Sequence, residues 1–361
     1  MPKKIIVCAD GTWNTENKTD QGRPCATNVV RIAQALLPTD SQGVPQVVHY
    51  EKGVGTDFGM EVRGGAFGRG IFQNVSDAYD FLVHNYEPGD RIYLFGFSRG
   101  AFTVRSLAGM IRNSGILKRG QESFRDEAIA LYRDYDPATT PDGPVSVSFR
   151  ADHSYEPDIE FIGVWDTVGA LGVLGLDGRF RLLKGLDWQF HDVKLSRIVK
   201  NAFHALAIHE HRAEFVPTLW EKQAPWDTRP APPVAQVLEQ IWFSGAHSDV
   251  GGGYPETGLS DVALEWMTGK AEEVGGLEFD RAALNPKPDP LAMGHDSFGA
   301  FYKILDWIEG HGSGSLRVFN EYPTSVTCEE IHPSVLQRAA ANAKEKWPPS
   351  FAKELQRRAQ A

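Results

Sequence analysis

The sequence predicts an α/β fold: a mostly parallel central sheet with helices on both faces. Three observations carry this. Apolar runs of strand length alternate with amphipathic helical stretches over the first third of the chain. Two further buried runs follow, at residues 159–165 and 237–244. One early run, residues 91–97, passes into a helix through Gly96-Phe97-Ser98-Arg99-Gly100.

Residues 4–9 read as a buried strand stopped by the breaker pair Asp10-Gly11. After a polar loop, Val29, Val30, Ile32, Ala33, Leu36 and Leu37 recur at helical spacing, with Thr27 or Asn28 as cap and Pro38 as stop. Residues 47–50 form a short strand. Residues 53–70 carry seven glycines and predict a long mobile loop. Val75, Ala78, Tyr79, Leu82 and Val83 then mark one helix face, and Pro88-Gly89-Asp90 turns the chain into the strand at 91–97. Between the two later strands lie a loop rich in Gly and Leu (169–185) and a helix expected over 196–209. An aromatic helical patch at 298–308 and a charged helix at 350–358 end the chain. The organisation predicted is one domain over residues 1–361. Its core covers about 3–290, insertions at about 117–155 and 169–200 form a lid, and 290–361 make a C-terminal helical extension.

With 361 residues, 42% apolar and 23% charged, the chain can build a core without staples. It has 37 basic and 47 acidic residues, a net charge of −10, so the overall basic footprint of a nucleic-acid binder is absent. Cys8, Cys25 and Cys328 are odd in number and widely spaced, which fits a reducing compartment and neither a disulfide framework nor a zinc site. The apolar run after Met1-Pro2-Lys3-Lys4 is too short for a signal h-region, and no run approaches the roughly 20 residues of a spanning helix. The expectation is synthesis in the cytoplasm, with any export by a route that needs no cleavable signal. No feature sets an oligomeric state.

The chemistry concentrates at Ser98. Gly-x-Ser-x-Gly between a buried strand and a helix places the serine on a strained turn, and the flanking glycines let the backbones pass closely. The Arg99 N–H at the helix start can then stabilise an oxyanion, with Gly11 or Thr12 on the loop after the first strand as second donor. A serine hydroxyl needs a base. Of eleven histidines, His247 follows a buried strand and precedes Gly251-Gly252-Gly253, at the sheet edge where catalytic groups collect. His209 and His211 are rivals, but their i, i+2 spacing does not share a helix face. Asp166 ends the strand at 159–165 and lies between serine and histidine in the chain, where the acid of a Ser–acid–His set belongs. Asp249 is the alternative acid; two residues from His247, it more naturally takes local backbone N–H groups. Asp10-Gly11-Thr12 invites comparison with the D-x-D-G-T phosphatase signature, which fails because Cys8 stands at the nucleophile position. Residues 53–70 hold no nucleotide-binding glycine motif.

Four blocks together resemble a known family: Cys8-Ala9-Asp10-Gly11-Thr12-Trp13-Asn14, Gly96-Phe97-Ser98-Arg99-Gly100-Ala101-Phe102, Gly163-Val164-Trp165-Asp166-Thr167-Val168-Gly169 and Gly245-Ala246-His247-Ser248-Asp249-Val250-Gly251-Gly252-Gly253-Tyr254. The likeness is to the α/β-hydrolase catalytic domain of type VI secretion phospholipase effectors of the first lipase class, over about residues 3–290. It implies an α/β-hydrolase fold and ester hydrolysis by Ser98, Asp166 and His247, with an ester or phospholipid as substrate and peripheral contact with membrane. No metal ion or cofactor is required by this chemistry. The alternatives are a carboxylesterase or thioesterase for small substrates, and a catalytically idle hydrolase fold serving as an interaction module.

Overall fold

The computed structural model describes residues 2–11, 14–20, 22–53, 64–168, 194–212, 215–222, 235–296, 317–320, 324–342 and 344–360. From the N-terminus, β1 (Lys4–Ala9) leads to a small antiparallel ribbon of β2 (Thr19–Asp20) and β3 (Arg23–Pro24). Then come α1 (Asn28–Ala35), β4 (Gln46–Glu51), α2 (Gly64–Asn85), β5 (Arg91–Phe97) and α3 (Arg99–Ser114). A second ribbon, β6 (Ile116–Leu117) with β7 (Ser154–Tyr155), brackets α4 (Arg125–Arg133) and α5 (Pro144–His153). The chain continues through β8 (Ile159–Trp165), β9 (Val199–Ala207), β10 (Val237–Phe243), α6 (His247–Gly251), α7 (Gly258–Glu273) and β11 (Glu329–Ile331). It ends in the helices Pro333–Ala341 and Pro349–Ala359.

Seven strands pair in the order β11-β10-β9-β8-β5-β1-β4, every pair parallel. The chain steps outward from β1 to β4, returns past β1 to β5, and proceeds the other way to β11. Loops leaving β1 and β5 therefore diverge, which puts the topological switch point of the sheet at the carboxyl edge between them. Alternation divides the central strands β1, β5 and β8 between two cores. Ile5, Val7, Leu94, Ile162 and Val164 pack under α2, α3 and α4. Ile6, Tyr93, Phe95, Phe161 and Phe203 pack under α1 and α7. The insertion carrying α4 and α5 extends the first core rather than standing apart from it. Among the described residues, no helix is long and apolar enough to cross a membrane.

Local chemistry explains most boundaries. Thr27 caps α1, its hydroxyl accepting the Val30 N–H at 3.2 Å. The strands over 4–9, 91–97 and 159–165 lie where the apolar runs predicted them. Residues 196–209 do not form the expected helix. Residues 199–207 are β9, a central strand buried on both faces, whose continuous apolar run is indistinguishable by periodicity from a buried helix. The glycine-rich stretch is helical from Gly64, while 54–63 lie outside the described residues, as do the 169–185 loop and the 298–308 patch. The C-terminal extension is not only helical, because β11 joins the central sheet. The Glu329 carboxylate accepts from Trp242 Nε1 at 2.9 Å and from the Thr327 hydroxyl at 2.8 Å, tying that strand to β10.

Gly100 sits where α3 crosses the end of β1. A Cβ added there would lie 2.1 Å from the Ala9 carbonyl oxygen, which is backbone and cannot move aside. Gly269, within α7, has nothing within 4 Å of an added Cβ. Gly100→Ala is expected to destabilise by on the order of 3 kcal/mol through overpacking, and Gly269→Ala to stabilise by about 1 kcal/mol through helix propensity. Urea midpoints of the two variants measure the contrast, and a Gly100→Ala midpoint equal to wild type would contradict the packing described.

Candidate active site

Ser98 occupies the turn between β5 and α3 with φ 58° and ψ −119°, a backbone conformation that a side chain disfavours. Such strain, about 1–3 kcal/mol, persists only where surroundings over-determine it. Here the Ser98 N–H donates to the Trp165 carbonyl at 3.0 Å, and Gly96 and Gly100 admit backbone contacts closer than any Cβ allows. The hydroxyl is lifted to the carboxyl edge of the sheet at the start of α3, whose first backbone N–H groups have no partner within the helix. Arg99 supplies the first of them.

Asp166 follows β8 directly, also with positive φ (39°), and its N–H donates to Ala205 at 2.7 Å. It is fully buried. Four donors surround its carboxylate. Oδ2 takes His247 Nδ1 at 2.6 Å and Arg317 Nη2 at 3.1 Å; Oδ1 takes Arg317 Nη1 and the Ala207 N–H, both at 3.0 Å. Burial alone would raise this carboxyl. The Arg317 charge and the His247 bond outweigh it and hold the group well below the usual carboxylate range.

His247 opens α6 beyond β10. Burial pushes its imidazole down, against the raising effect of Asp166, so the ring is neutral near pH 7 with Nδ1 bearing the proton toward Asp166. That tautomer leaves Nε2 as acceptor. Phe97, the residue before Ser98, packs on the ring at 4.6 Å between centroids, and Phe215 meets its edge at 4.9 Å. The structure thus brings Ser98, Asp166 and His247 to one stretch of sheet edge. Among the described residues the Ser98 hydroxyl makes no hydrogen bond; such contacts are often long in unliganded enzymes and tighten with substrate.

His209, Glu210 and Asp249 clamp the turn that carries His247. Three successive N–H groups are each taken by one side chain: Gly245 by His209 Nδ1 at 3.0 Å, Ala246 by Asp249 Oδ2 at 3.0 Å, His247 by Glu210 Oε2 at 3.3 Å. Burial pushes His209 down to about 4, so it is a neutral acceptor. The Asp249 carboxylate turns away from His247, taking the His295 N–H at 2.9 Å and ring Nδ1 at 2.6 Å. Glu210 is fully buried; burial would raise it, but the Arg212 guanidinium, bonded to both its oxygens at 2.9 Å, brings it to about 2. Arg212 in turn lies over Phe215 at 3.5 Å. His211 is bonded to none of these groups.

The loop after β1 is equally constrained. Asp10 is buried and accepts from Thr27 and Tyr50 hydroxyls at 2.8 Å and from the Gly11 N–H at 2.7 Å. Burial, opposed by these bonds, raises it to about 6. The Gly11 N–H, expected as an oxyanion donor, donates to Asp10 in this structure. Thr12 lies outside the described residues. Sequence reasoning missed Glu210 and Arg317; Arg317 carried a signal, a charge set directly among Leu316, Val318 and Phe319, whereas Glu210 lies within the polar run His209-Glu210-His211-Arg212 and carried none.

Comparison with known proteins places this site in context. The family described as type VI secretion system phospholipase effector Tle1-like, catalytic domain, matches residues 3–270. An uncharacterized protein of Saccharomyces cerevisiae is 32% identical over 235 residues, covering 59% of this chain and 32% of that protein. The chain spans about a third of the length of this relative. Among solved structures, an uncharacterized protein from Pseudomonas aeruginosa has 20% identity and a TM-score of 0.47, over 87% of this chain and 49% of that one. The Tle1 effector bound to the VgrG spike of a type 6 secretion system has 19% identity and a TM-score of 0.38, over 70% and 51%.

Proposed function

The chain belongs to the Tle1-like catalytic domain family of type VI secretion phospholipase effectors, and from that premise we propose that it is a serine hydrolase cleaving carboxylic esters of lipids. The observation that carries this reading is the 2.6 Å His247–Asp166 bond set beside the strained Ser98 turn. In this mechanism Nε2 of His247 takes the Ser98 proton as the hydroxyl oxygen bonds to the ester carbonyl carbon. The Arg99 N–H faces the developing oxyanion. Collapse breaks the ester C–O bond, and the imidazolium returns its proton to the leaving alcohol. Water, deprotonated by His247, then releases the acid from Ser98. Asp166 keeps Nδ1 protonated throughout. Export by a type VI system, without a cleavable signal, is part of the proposal.

The test is incubation with a phospholipid panel and with short p-nitrophenyl esters, read by mass spectrometry. Release of fatty acid with the matching lysolipid is the expected result. Turnover of short esters alone would replace the lipid with a small soluble substrate. No acyl release from either class would overturn the reading.

A further inference from the structure

We propose that Arg317 is a positioning residue of this site, aiming the Asp166 carboxylate at His247 and drawing off part of its charge. The inference rests on the ester-hydrolase reading for its activity readout only. Arg317 lies well beyond residue 270, where the family match ends, yet it is buried in the site. Its two Nη atoms bond the two oxygens of Asp166, and Nη2 also donates to the Phe215 carbonyl at 2.5 Å. One guanidinium thus joins the acid, the segment carrying the Phe215 ring that edges His247, and the strand-bearing C-terminal region. A planar fork suits this; a point charge on a flexible stem does not.

The electrostatic consequence has a definite sign. Charged groups facing His247 are Asp166 at the end of β8, Glu210 and Arg212 after β9, and Arg317 behind Asp166. His204 lies beneath on β9, its Nε2 accepting the Thr167 N–H at 3.1 Å; burial and Arg105 push it down to about 3, so it adds no charge. Arg317 offsets the Asp166 charge that would otherwise favour imidazolium. Without it Asp166 stabilises protonated His247 more, and the base is lost at higher pH.

The experiment compares the full chain with Arg317→Gln and Arg317→Lys, both checked for folding by circular dichroism. It reads p-nitrophenyl ester kinetics against pH and, independently of turnover, the His247 imidazole by ¹⁵N NMR titration. Arg317→Gln is expected to lower kcat by about 10- to 100-fold, as loss of an orienting partner does, with KM little changed. Its acid limb and imidazole titration should move together to higher pH. Arg317→Lys keeps the charge and loses the fork, so its titration should stay near wild type while kcat still falls. An unmoved imidazole titration in Arg317→Gln would overturn the proposal. Should that variant fail to fold, wild-type kcat in Arg317→Lys does the same. A wild-type chain that hydrolyses no ester would sink the proposed function, and the NMR titration would still decide Arg317.

Discussion

Ser98→Ala is expected to abolish covalent labelling by a fluorophosphonate and to lower kcat for ester hydrolysis by on the order of 10⁶, the loss seen when a serine hydrolase is deprived of its nucleophile. In the proposed mechanism the hydroxyl forms the acyl bond, and its removal leaves His247 no proton to take there. A residual rate above that in water is expected, because the backbone donors at the start of α3 remain. Stability separates this chemical loss from a structural one. Alanine suffers the same strain at φ 58° as serine, so Ser98→Ala should unfold at the wild-type urea concentration. Ser98→Gly relieves the strain and should be the more stable by about 1 kcal/mol, while equally inactive. Labelling that survives in Ser98→Ala would mean that the nucleophile lies elsewhere.

The parts of the fold legible in the sequence were those where local chemistry and tertiary context agree. Residues 91–97 alternate apolar side chains between two cores, then meet a glycine pair that only a tight turn explains, and β5, the turn and α3 follow at those residues. Residues 199–207 were misread because Ala202, Ala205 and Ala207 favour helices and Asn201 and His204 mimic a polar stripe three residues apart. In the sheet those polar groups have lateral partners instead: Asn201 donates to the Glu160 carbonyl at 2.8 Å, and His204 pairs with Gln240 at 3.1 Å. Partners of that kind are set by strand neighbours far away in sequence, and a single chain does not announce them. The same applies to Arg317, which reaches Asp166 across 151 positions. Ser98, Asp166 and His247 were expected at one sheet edge because each lies just beyond a recognisable apolar run, and the structure sets all three after the ends of β5, β8 and β10.

Asp166→Asn is expected to lower kcat on the order of 10⁴, the effect of an acid-to-amide change behind a catalytic histidine, and the surrounding donors explain why the structure cannot evade it. Oδ1 accepts from the Ala207 N–H and from Arg317 Nη1, both held by the fold. An asparagine keeps these bonds only by placing its carbonyl oxygen there, which turns its NH₂ toward His247 Nδ1. The imidazole must then accept at Nδ1 and carry its proton on Nε2, where it can no longer receive one from Ser98. The opposite orientation restores the tautomer but aims the NH₂ at two buried donors, at a cost of about 1–3 kcal/mol for each unsatisfied group. Asp249→Asn meets a different situation. Its carboxylate serves the Ala246 N–H and His295 and does not bond His247. Loss there should act through the order of the turn before α6, at about 1 kcal/mol as for a weakened helix cap, and reduce kcat about tenfold or less at that scale. Kinetics of both variants, each shown to be folded, give the ranking directly. If Asp249→Asn proves the more damaging, Asp249 is the acid and the Asp166 pairing is structural.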